Sequence, residues 1–242
     1  MKKITNIVYI VYQYIIALPI FAVITLFTAI ITMIFMHWRN AEWLHRIQQF
    51  WSRSFFYLLF IPVKIEGVEN IDRHTSYVFV CNHQSMSDVF LIYGWLPVIF
   101  KWIMKKELRK IPFVGSACAA AGHIYIDRSN RMAAKRSMDA VEKQLTNGVC
   151  VVIFPEGTRT KTGEVGPFKR GAFSIATDLH LPIVPLSISG CFDLMPRQNY
   201  YAKWHPVTLT IGSPIMINEY NEENRNEIIE KVRAEVIAGI KK

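Results

Sequence analysis

Hydrophobic positions along the chain follow two different patterns. Residues 4–36 carry no charged side chain, and this apolar run is longer than the roughly 20 residues that a helix needs to cross a bilayer. From Pro62 onward, short apolar runs alternate with amphipathic stretches. The pattern therefore predicts membrane-anchoring helices over residues 1–60 and a separately folded unit over residues 61–242.

The N-terminal part predicts two kinds of helix. Pro19 is expected to kink the apolar run. Because both flanks of the run are basic and positive flanks favour the cytoplasmic side, a hairpin that dips into one leaflet and returns is favoured over a single span. A buried helix of a soluble core is the remaining alternative. Residues 40–60 place apolar and aromatic side chains at helical spacing, which indicates an amphipathic interfacial helix.

The second part alternates predicted strands with predicted helices. One helix is expected to begin at Ser129, and a last helix carries Ile228, Val232, Val236 and Ile237. This alternation indicates an α/β fold, with a mixed, largely parallel sheet of about seven strands flanked by helices. The predicted strands are residues 63–66, 77–81, 98–104, 123–126, 149–154, 183–187 and 207–211.

Composition narrows the partners. Hydrophobic residues make up 51% of the chain, charged residues 19%, and the net charge is +9. That balance suits an anionic membrane surface, a phosphorylated substrate or an acidic protein partner, and no nucleic-acid-binding motif accompanies it. The four cysteines form no CxxC pair or Cys/His cluster, so we expect a reducing compartment, no disulfide and no metal site.

The first candidate site is the stretch Asn82-His83-Gln84-Ser85-Met86-Ser87-Asp88. It lies between a predicted strand and a predicted helix, so His83 ends the strand and Asp88 lies near the helix start, with Ser85 and Ser87 as capping residues. Across such a corner the two side chains can meet. A carboxylate that holds one imidazole nitrogen leaves the other free to act as a general base. The alternative is a helix-capping turn with an incidental histidine.

The second candidate is Phe154-Pro155-Glu156-Gly157-Thr158-Arg159, which also follows a predicted strand. Gly157 permits a tight turn, and Arg159 offers a fork of donors that suits a phosphate. Glu156 cannot bind a phosphate, so we expect it to accept a hydrogen bond from substrate or to support the loop with its neighbours. Lys105 and Lys169 add cations. The alternative is a surface loop with ordinary salt bridges.

Taken in order, these motifs resemble those of the glycerolipid acyltransferase family, and most closely its bacterial members that acylate 1-acyl-sn-glycerol-3-phosphate. The resemblance covers roughly residues 62–215, and in composition the hydrophobic N-terminus also resembles the two-helix membrane anchor of some members. Within it, Asp127-Arg128 can also be a local ion pair that supports the fold. The matching positions are Asn82, His83 and Asp88 (NHx4D), Lys105, Leu108, Pro112, Gly115 and residues 126–128 (KxxL…P…G…IDR), residues 154–159 (FPEGTR), residues 168–171 (FKxG), and Pro182 to Pro185 in an apolar-proline block.

This last block also carries a prediction of its own. Pro185 falls inside the predicted strand 183–187. A proline cannot donate to a sheet ladder, so we expect an edge position or a special turn there.

The resemblance implies transfer of a fatty acyl group from acyl-CoA or acyl carrier protein to the 2-hydroxyl of lysophosphatidic acid, in phospholipid biosynthesis and without metal or cofactor. It implies His83 as general base, Asp88 as its orienting partner, and Arg159 with Lys105 and Lys169 at the phosphate. Backbone N–H groups after His83 are expected to stabilise the oxyanion.

The implied location is the cytoplasmic face of the inner membrane, with membrane phospholipids as neighbours. Three alternatives stay open. The acceptor can be glycerol-3-phosphate, a lyso-ornithine lipid or another lysophospholipid. The chain can instead be a non-catalytic membrane lipid-binding protein, or a hydrolase of acyl-CoA.

Overall fold

The structure, a computed structural model, describes residues 2–35, 41–126, 148–173, 176–177, 180–217 and 225–241. The helices are α1 Lys2–Tyr12, α2 Leu18–Phe35, α3 Ala41–Leu58, α4 Ser87–Trp95, α5 Val114–Ala120, α6 Cys191–Leu194 and α7 Arg225–Ala238. The strands are β1 Val63–Glu66, β2 Val78–Cys81, β3 Phe100–Lys105, β4 Ile124–Ile126, β5 Cys150–Ile153, β6 Ile183–Ser189 and β7 Val207–Ile211. Asp127, Arg128 and the helix predicted from Ser129 lie outside the described residues.

All seven predicted strands join one sheet, in the order β1-β7-β6-β2-β5-β3-β4. Only β6 and β7 pair antiparallel, and the other neighbours are parallel. The predicted mixed, largely parallel sheet is therefore confirmed. Because β2, β5 and β3 are parallel neighbours, the residues that follow them meet at one edge of the sheet, where α/β folds bind ligands.

Helices cover both faces of the sheet. Alternate residues of β2 point to opposite sides, with Phe79 in the core under α4 and Val80 in the core under α7. Because both faces are covered there, the residues of β2, β5 and β6 are buried on both sides, and these strands are mostly apolar in sequence. The last predicted helix is confirmed, with Val232 and Val236 buried, but Ile237 is exposed.

Pro185 lies in an interior strand, so the expected edge position is wrong. Strand β6 has β2 on one side and β7 on the other. Next to Pro185 the β6–β7 pairing slips by one residue, because Leu186 pairs with Ile211 whereas Ile183 bridges to Ile215. The carbonyl of Pro185 accepts the N–H of Gly212 at 2.8 Å. The irregularity falls where a ladder donor would be missing, which is how a sheet accommodates proline.

The N-terminal residues 2–35 form one unbroken helical run, so the expected fold-back within the apolar run is wrong. A π-helical turn, Gln13–Ala17, joins α1 to α2, and the N–H of Leu18 bonds to the carbonyl of Gln13. Pro19 removes one helical hydrogen bond, and the wider turn just before it relieves the clash with the preceding carbonyl. The segment Asn6–Phe35 is long and apolar enough to cross a membrane.

The helical run 2–35 and helix α3 both pack against the α/β part of the chain. Gln13 donates to the carbonyl of Ala202 and accepts its N–H, both at 2.8 Å. The predicted amphipathic helix is observed as α3, which packs on α4. There Ser52 donates to the carbonyl of Phe90 at 2.6 Å, and Phe56 is fully buried. The division between residues 1–60 and 61–242 stays a prediction.

Candidate active site

The site begins at the end of the central strand β2. Asn82 donates its amide to the carbonyl of Ile188 at 3.0 Å and accepts the N–H of Ile188 at 2.8 Å. This side chain continues the ladder between β2 and β6 after the backbone has turned away. It fixes the position at which His83 leaves the sheet.

His83 and Asp88 meet across the corner between β2 and α4, as expected. His83 Nδ1 lies 2.8 Å from Asp88 Oδ2, and Asp88 is fully buried. The same carboxylate oxygen accepts the backbone N–H groups of Gln84 at 2.7 Å and Ser85 at 2.8 Å. Acceptance of the Nδ1 proton fixes one tautomer and leaves Nε2 as an acceptor. The first two backbone N–H groups after His83 are therefore occupied by Asp88 and are not available to an oxyanion.

The two serines hold the turn. Ser85 Oγ donates to the carbonyl of Met195 at 2.6 Å and accepts the N–H of Ser87 at 3.1 Å. Ser87 Oγ contacts Ser85 Oγ at 2.9 Å. Their hydroxyls are thus committed to each other and to the backbone, which agrees with a structural role.

The ring of Phe154 forms a flat support for His83. Its centroid lies 4.0 Å from that of the imidazole with 16° between the planes, and Trp102 stacks on Phe154 at 5.5 Å. The sequence alone did not reveal this role. The available signal is that Phe154 directly follows β5, which becomes informative only once β5 is known to lie beside β2.

Glu156 supports the loop that follows β5. Its Oε1 accepts the N–H of His83 at 2.7 Å and its Oε2 accepts the N–H of Gly166 at 2.9 Å. The N–H of Thr160 bonds to the carbonyl of His83 at 2.9 Å. Gly157 has a φ of 74°, so the expected tight turn is confirmed. The loop therefore holds the histidine backbone on both sides, and the Glu156 geometry fits loop support better than substrate contact.

Arg159, Lys105 and Lys169 lie on the strand and loops around this arrangement, together with Arg197, which the sequence did not indicate. Arg159 is partly exposed and immediately precedes Thr160. The guanidinium of Arg197, from the loop after α6, donates to Thr158 Oγ1 at 3.2 Å and to the carbonyl of Arg159 at 3.3 Å. Arg197 has no motif around it, so only the fold brings it here.

The two predicted lysines are placed differently. Lys105 ends β3 on the wall of the cavity beside His83, and its ammonium lies 3.7 Å from Glu107 in an exposed pair. Lys169 is exposed, and its backbone N–H bonds to the carbonyl of Pro155 at 3.0 Å. Lys169 is tied to the same loop by its backbone, but its side chain faces solvent.

A mostly apolar cavity of about 350 Å³ opens from His83 and Phe154. We call it the His83 cavity. It runs between α2, α3, β3 and α5. Residues on its wall include Thr25, Ala29, Thr32, Trp51, Val89, Trp102, Met104, Leu108, Val114, Ala117 and Ala121, with Gln48, Tyr93 and His123 among the polar ones.

The buried histidines of this region are uncharged. Burial lowers the pKa of His123 to about 3, with Lys101 and His45 adding to the shift, and His123 Nδ1 accepts the N–H of Trp102 at 3.3 Å. Burial, then Lys101 and Arg53, lowers the pKa of His45 to about 4. Neutral rings avoid the cost of burying two further positive charges near Lys101.

The thiols near the site are unreactive. Burial raises the pKa of both Cys81 and Cys191, and the neighbouring Asp88 carboxylate raises them further. A thiol held in its protonated form is a poor nucleophile. Within the described part of the chain, no group of three or more His, Cys, Asp or Glu side chains is placed to hold a metal ion.

Comparison with known proteins gives consistent results. The family model described as Acyltransferase matches residues 62–189. The chain is 36% identical to the 1-acyl-sn-glycerol-3-phosphate acyltransferase of Cocos nucifera, over 76% of this chain and 59% of that protein. It is 34% identical to the enzyme of the same name from Helicobacter pylori, over 69% of this chain and 74% of that protein.

A solved structure is also similar. The crystal structure of the 1-acyl-sn-glycerophosphate (LPA) acyltransferase PlsC from Thermotoga maritima matches with a TM-score of 0.81 at 29% identity, and the match covers 99% of this chain and 96% of that chain. The chain spans a smaller share of two curated relatives than of this solved structure. It covers 59% of the Cocos nucifera protein and 61% of that from Limnanthes douglasii.

Proposed function

Since the chain belongs to the Acyltransferase family, we propose that it transfers a fatty acyl group from a thioester to the 2-hydroxyl of 1-acyl-sn-glycerol-3-phosphate, giving phosphatidic acid. The observation that carries this proposal is the buried contact between His83 and Asp88 at the opening of an apolar cavity. The substrate follows from the names of the relatives and of the similar solved structure.

His83 acts as the general base. Because Asp88 holds the proton on Nδ1, Nε2 is free to take the proton of the acceptor hydroxyl as its oxygen attacks the thioester carbonyl. Asp88 then stabilises the imidazolium that forms, without itself taking the proton. Phe154 keeps the ring in one plane through stacking, which preserves the alignment that proton transfer requires.

The tetrahedral intermediate collapses with loss of the thiolate, which receives the proton from His83 and leaves as a free thiol. The bond that forms is the new ester C–O bond, and the bond that breaks is the thioester C–S bond. Ser85 and Ser87 are committed to structural hydrogen bonds, so we propose direct transfer without an acyl-enzyme intermediate.

The acceptor phosphate binds the cations beside His83. Arg159 is our first candidate because its loop is bonded to the backbone of His83 and a guanidinium forms paired hydrogen bonds to phosphate oxygens. Lys105 on the cavity wall and Arg197 beside Thr158 add positive charge. Lys169 contributes at longer range, since its side chain is exposed.

The donor chain occupies the His83 cavity. A thioester places its chain directly on the reacting carbonyl, so the space for that chain must begin at the base, as this cavity does. We propose that the protein is anchored in the inner membrane with the site on the cytoplasmic face. The length and apolar composition of Asn6–Phe35 support insertion into a membrane. Acyl-CoA and acyl carrier protein are both anionic donors, and the net charge of +9 suits either.

The test is an acyl-transfer assay on the full-length protein in detergent micelles, with labelled acyl-CoA and labelled acyl carrier protein as donors. We expect labelled phosphatidic acid from lysophosphatidic acid, and loss of the product in His83→Ala. If glycerol-3-phosphate or a lyso-ornithine lipid is labelled in preference, that molecule is the acceptor in place of lysophosphatidic acid. Free fatty acid released without any acceptor would indicate a hydrolase, and no turnover with any donor would leave a lipid-binding role.

A further inference from the structure

A second apolar groove, of about 240 Å³, lies next to the His83 cavity along α4. We call it the Met86 groove. Met86 and Phe90, one helical turn apart, line it, whereas Val89 and Tyr93 on the neighbouring face of α4 line the His83 cavity. Its other walls come from the π-helical turn, α3 and the loops after α6.

Aromatic rings separate the two spaces. Phe55 and Phe90 stack with centroids 4.4 Å apart and 15° between their planes, and Phe21 packs edge-on against Phe90 at 5.5 Å. A stacked wall of this kind keeps two chains apart while both approach one catalytic turn.

The groove has a lipid-facing rim. Leu18 is 53% exposed, Met86 52% and Tyr200 91%, and all three line the groove. Contiguous exposed apolar side chains mark membrane or partner contacts. Leu18 belongs to the segment Asn6–Phe35 that is apolar enough to cross a membrane, so the groove opens towards the lipid that surrounds that helix.

Arg197 lies close to one end of the groove. Met195 lines the groove, and its carbonyl accepts the hydroxyl of Ser85. Two residues later, Arg197 donates to Thr158 and to the carbonyl of Arg159. An apolar groove with an arginine close to one end matches a molecule with one acyl chain and a phosphate.

The proposed reaction brings two acyl chains to His83. The donor chain starts at the reacting carbonyl. The acceptor chain is esterified to the glycerol carbon adjacent to the one that carries the reacting hydroxyl. It therefore leaves the centre a few atoms away and needs its own path. We propose that the Met86 groove binds the acyl chain of the lysophosphatidate acceptor, with Arg197 assisting Arg159 at its phosphate. This inference rests on the proposed function.

The experiment compares variants that narrow each space. Ala17→Met fills the Met86 groove, Leu18→Trp fills its exposed rim without disturbing the core, and Ala29→Met fills the His83 cavity as the matched control. Full-length proteins are assayed with oleoyl and hexanoyl forms of lysophosphatidate, and separately with donors of different chain length. Hexanoyl lysophosphatidate reports whether each variant is folded and active.

We expect Ala17→Met and Leu18→Trp to raise KM for the oleoyl acceptor by about tenfold or more, with KM for the hexanoyl acceptor and the donor preference unchanged. Ala29→Met should shift donor preference alone. Arg197→Ala should raise KM equally for the oleoyl and the hexanoyl acceptor. Equal effects of Leu18→Trp on both acceptors, or a changed donor preference, overturn the groove assignment. Absence of transfer by the wild-type protein would instead refute the proposed function.

Discussion

The carboxylate of Glu156 bonds to the backbone of His83, not to its ring. Glu156 Oε1 accepts the N–H of His83 at 2.7 Å while Oε2 accepts the N–H of Gly166 at 2.9 Å. A side chain with both oxygens occupied and 8% of its surface exposed positions the base through the main chain. It joins the loop after β5 to the residue that follows β2.

This relationship predicts the effect of Glu156→Gln. The amide has one acceptor oxygen in place of two and turns its NH2 towards a backbone N–H, so we expect a loss of about 1.5–3 kcal/mol in unfolding free energy. The value of kcat should fall while KM for the acceptor stays within about twofold. Glu164→Gln, an exposed change in the same loop, is the control for denaturation and kinetics. A rise in KM alone would mean that Glu156 contacts the acceptor.

The His83–Asp88 contact predicts different outcomes for its two members. His83→Ala should lower kcat by about 10²–10⁴-fold with little change in melting temperature. Asp88→Asn should lower kcat and also stability, because Asp88 Oδ2 accepts two backbone N–H groups besides the imidazole. Circular dichroism melting and initial rates check both. Replacement of the exposed His74 by Ala is the control, and near-normal turnover by His83→Ala would remove the base assignment.

Arg159 is expected to act mainly in binding. Loss of its charged hydrogen bonds to phosphate, each worth about 1.5–3 kcal/mol, should raise KM for the acceptor about 10–100-fold in Arg159→Ala. Arg159→Lys should recover only part of this, since it keeps the charge and loses the fork. Lys161→Ala, on the same loop, is the control. A lower kcat at unchanged KM would place Arg159 in the transition state instead.

The exposed face of the N-terminal helix predicts a membrane phenotype. Ile15 is 70% exposed and Phe27 62%. A lysine at each position should cost about 2.5–3.5 kcal/mol at the centre of a bilayer. We therefore expect a smaller fraction of the double variant to float with lipid vesicles than of the control variant Ala234→Lys on α7. Full flotation of the double variant would contradict anchoring by this face. Deletion of residues 1–60 is a poorer test, because it also removes the buried Phe56.

The buried histidines predict loss of stability in acid. The folded pKa of His45 is about 4 and that of His123 about 3, both below the unfolded value of about 6.5. Between these limits the unfolded chain binds more protons, so stability falls as pH drops below about 6.5. At pH 5 each of these two histidines should lower the free energy of unfolding by about 2 kcal/mol.

His45→Phe isolates one of these contributions. His45 Nε2 is buried without a hydrogen-bond partner, and its ring packs on Tyr93 and Phe100. Phenylalanine keeps the ring and cannot protonate, so melting temperatures measured from pH 7.5 to pH 5 should fall less steeply than in the wild type. An unchanged slope would show that His45 titrates normally in the folded protein.

Local pattern was sufficient for much of this protein. Apolar runs predicted the interior strands β2, β5 and β6, because a strand buried on both faces is mostly apolar, whereas β7 was predicted with alternating apolar and polar residues. The spacing of His83 and Asp88 at a strand–helix corner predicted their contact, since only the short turn between them decides it. Gly157 and its positive φ likewise depend on neighbours in sequence.

Strand order and packing decided the rest. Phe154 supports His83, and Glu156 bonds to its backbone, because β5 lies beside β2. The sequence between positions 81 and 150 does not indicate that these two strands are neighbours. The sequence likewise does not indicate the position of Arg197, the interior position of Pro185, or the His83 cavity and the Met86 groove. The unbroken helical run through Pro19 includes the π-helical turn Gln13–Ala17, in which the Gln13 amide bonds to Ala202. These contacts join residues far apart in sequence, so their energies exist only once the chain has folded.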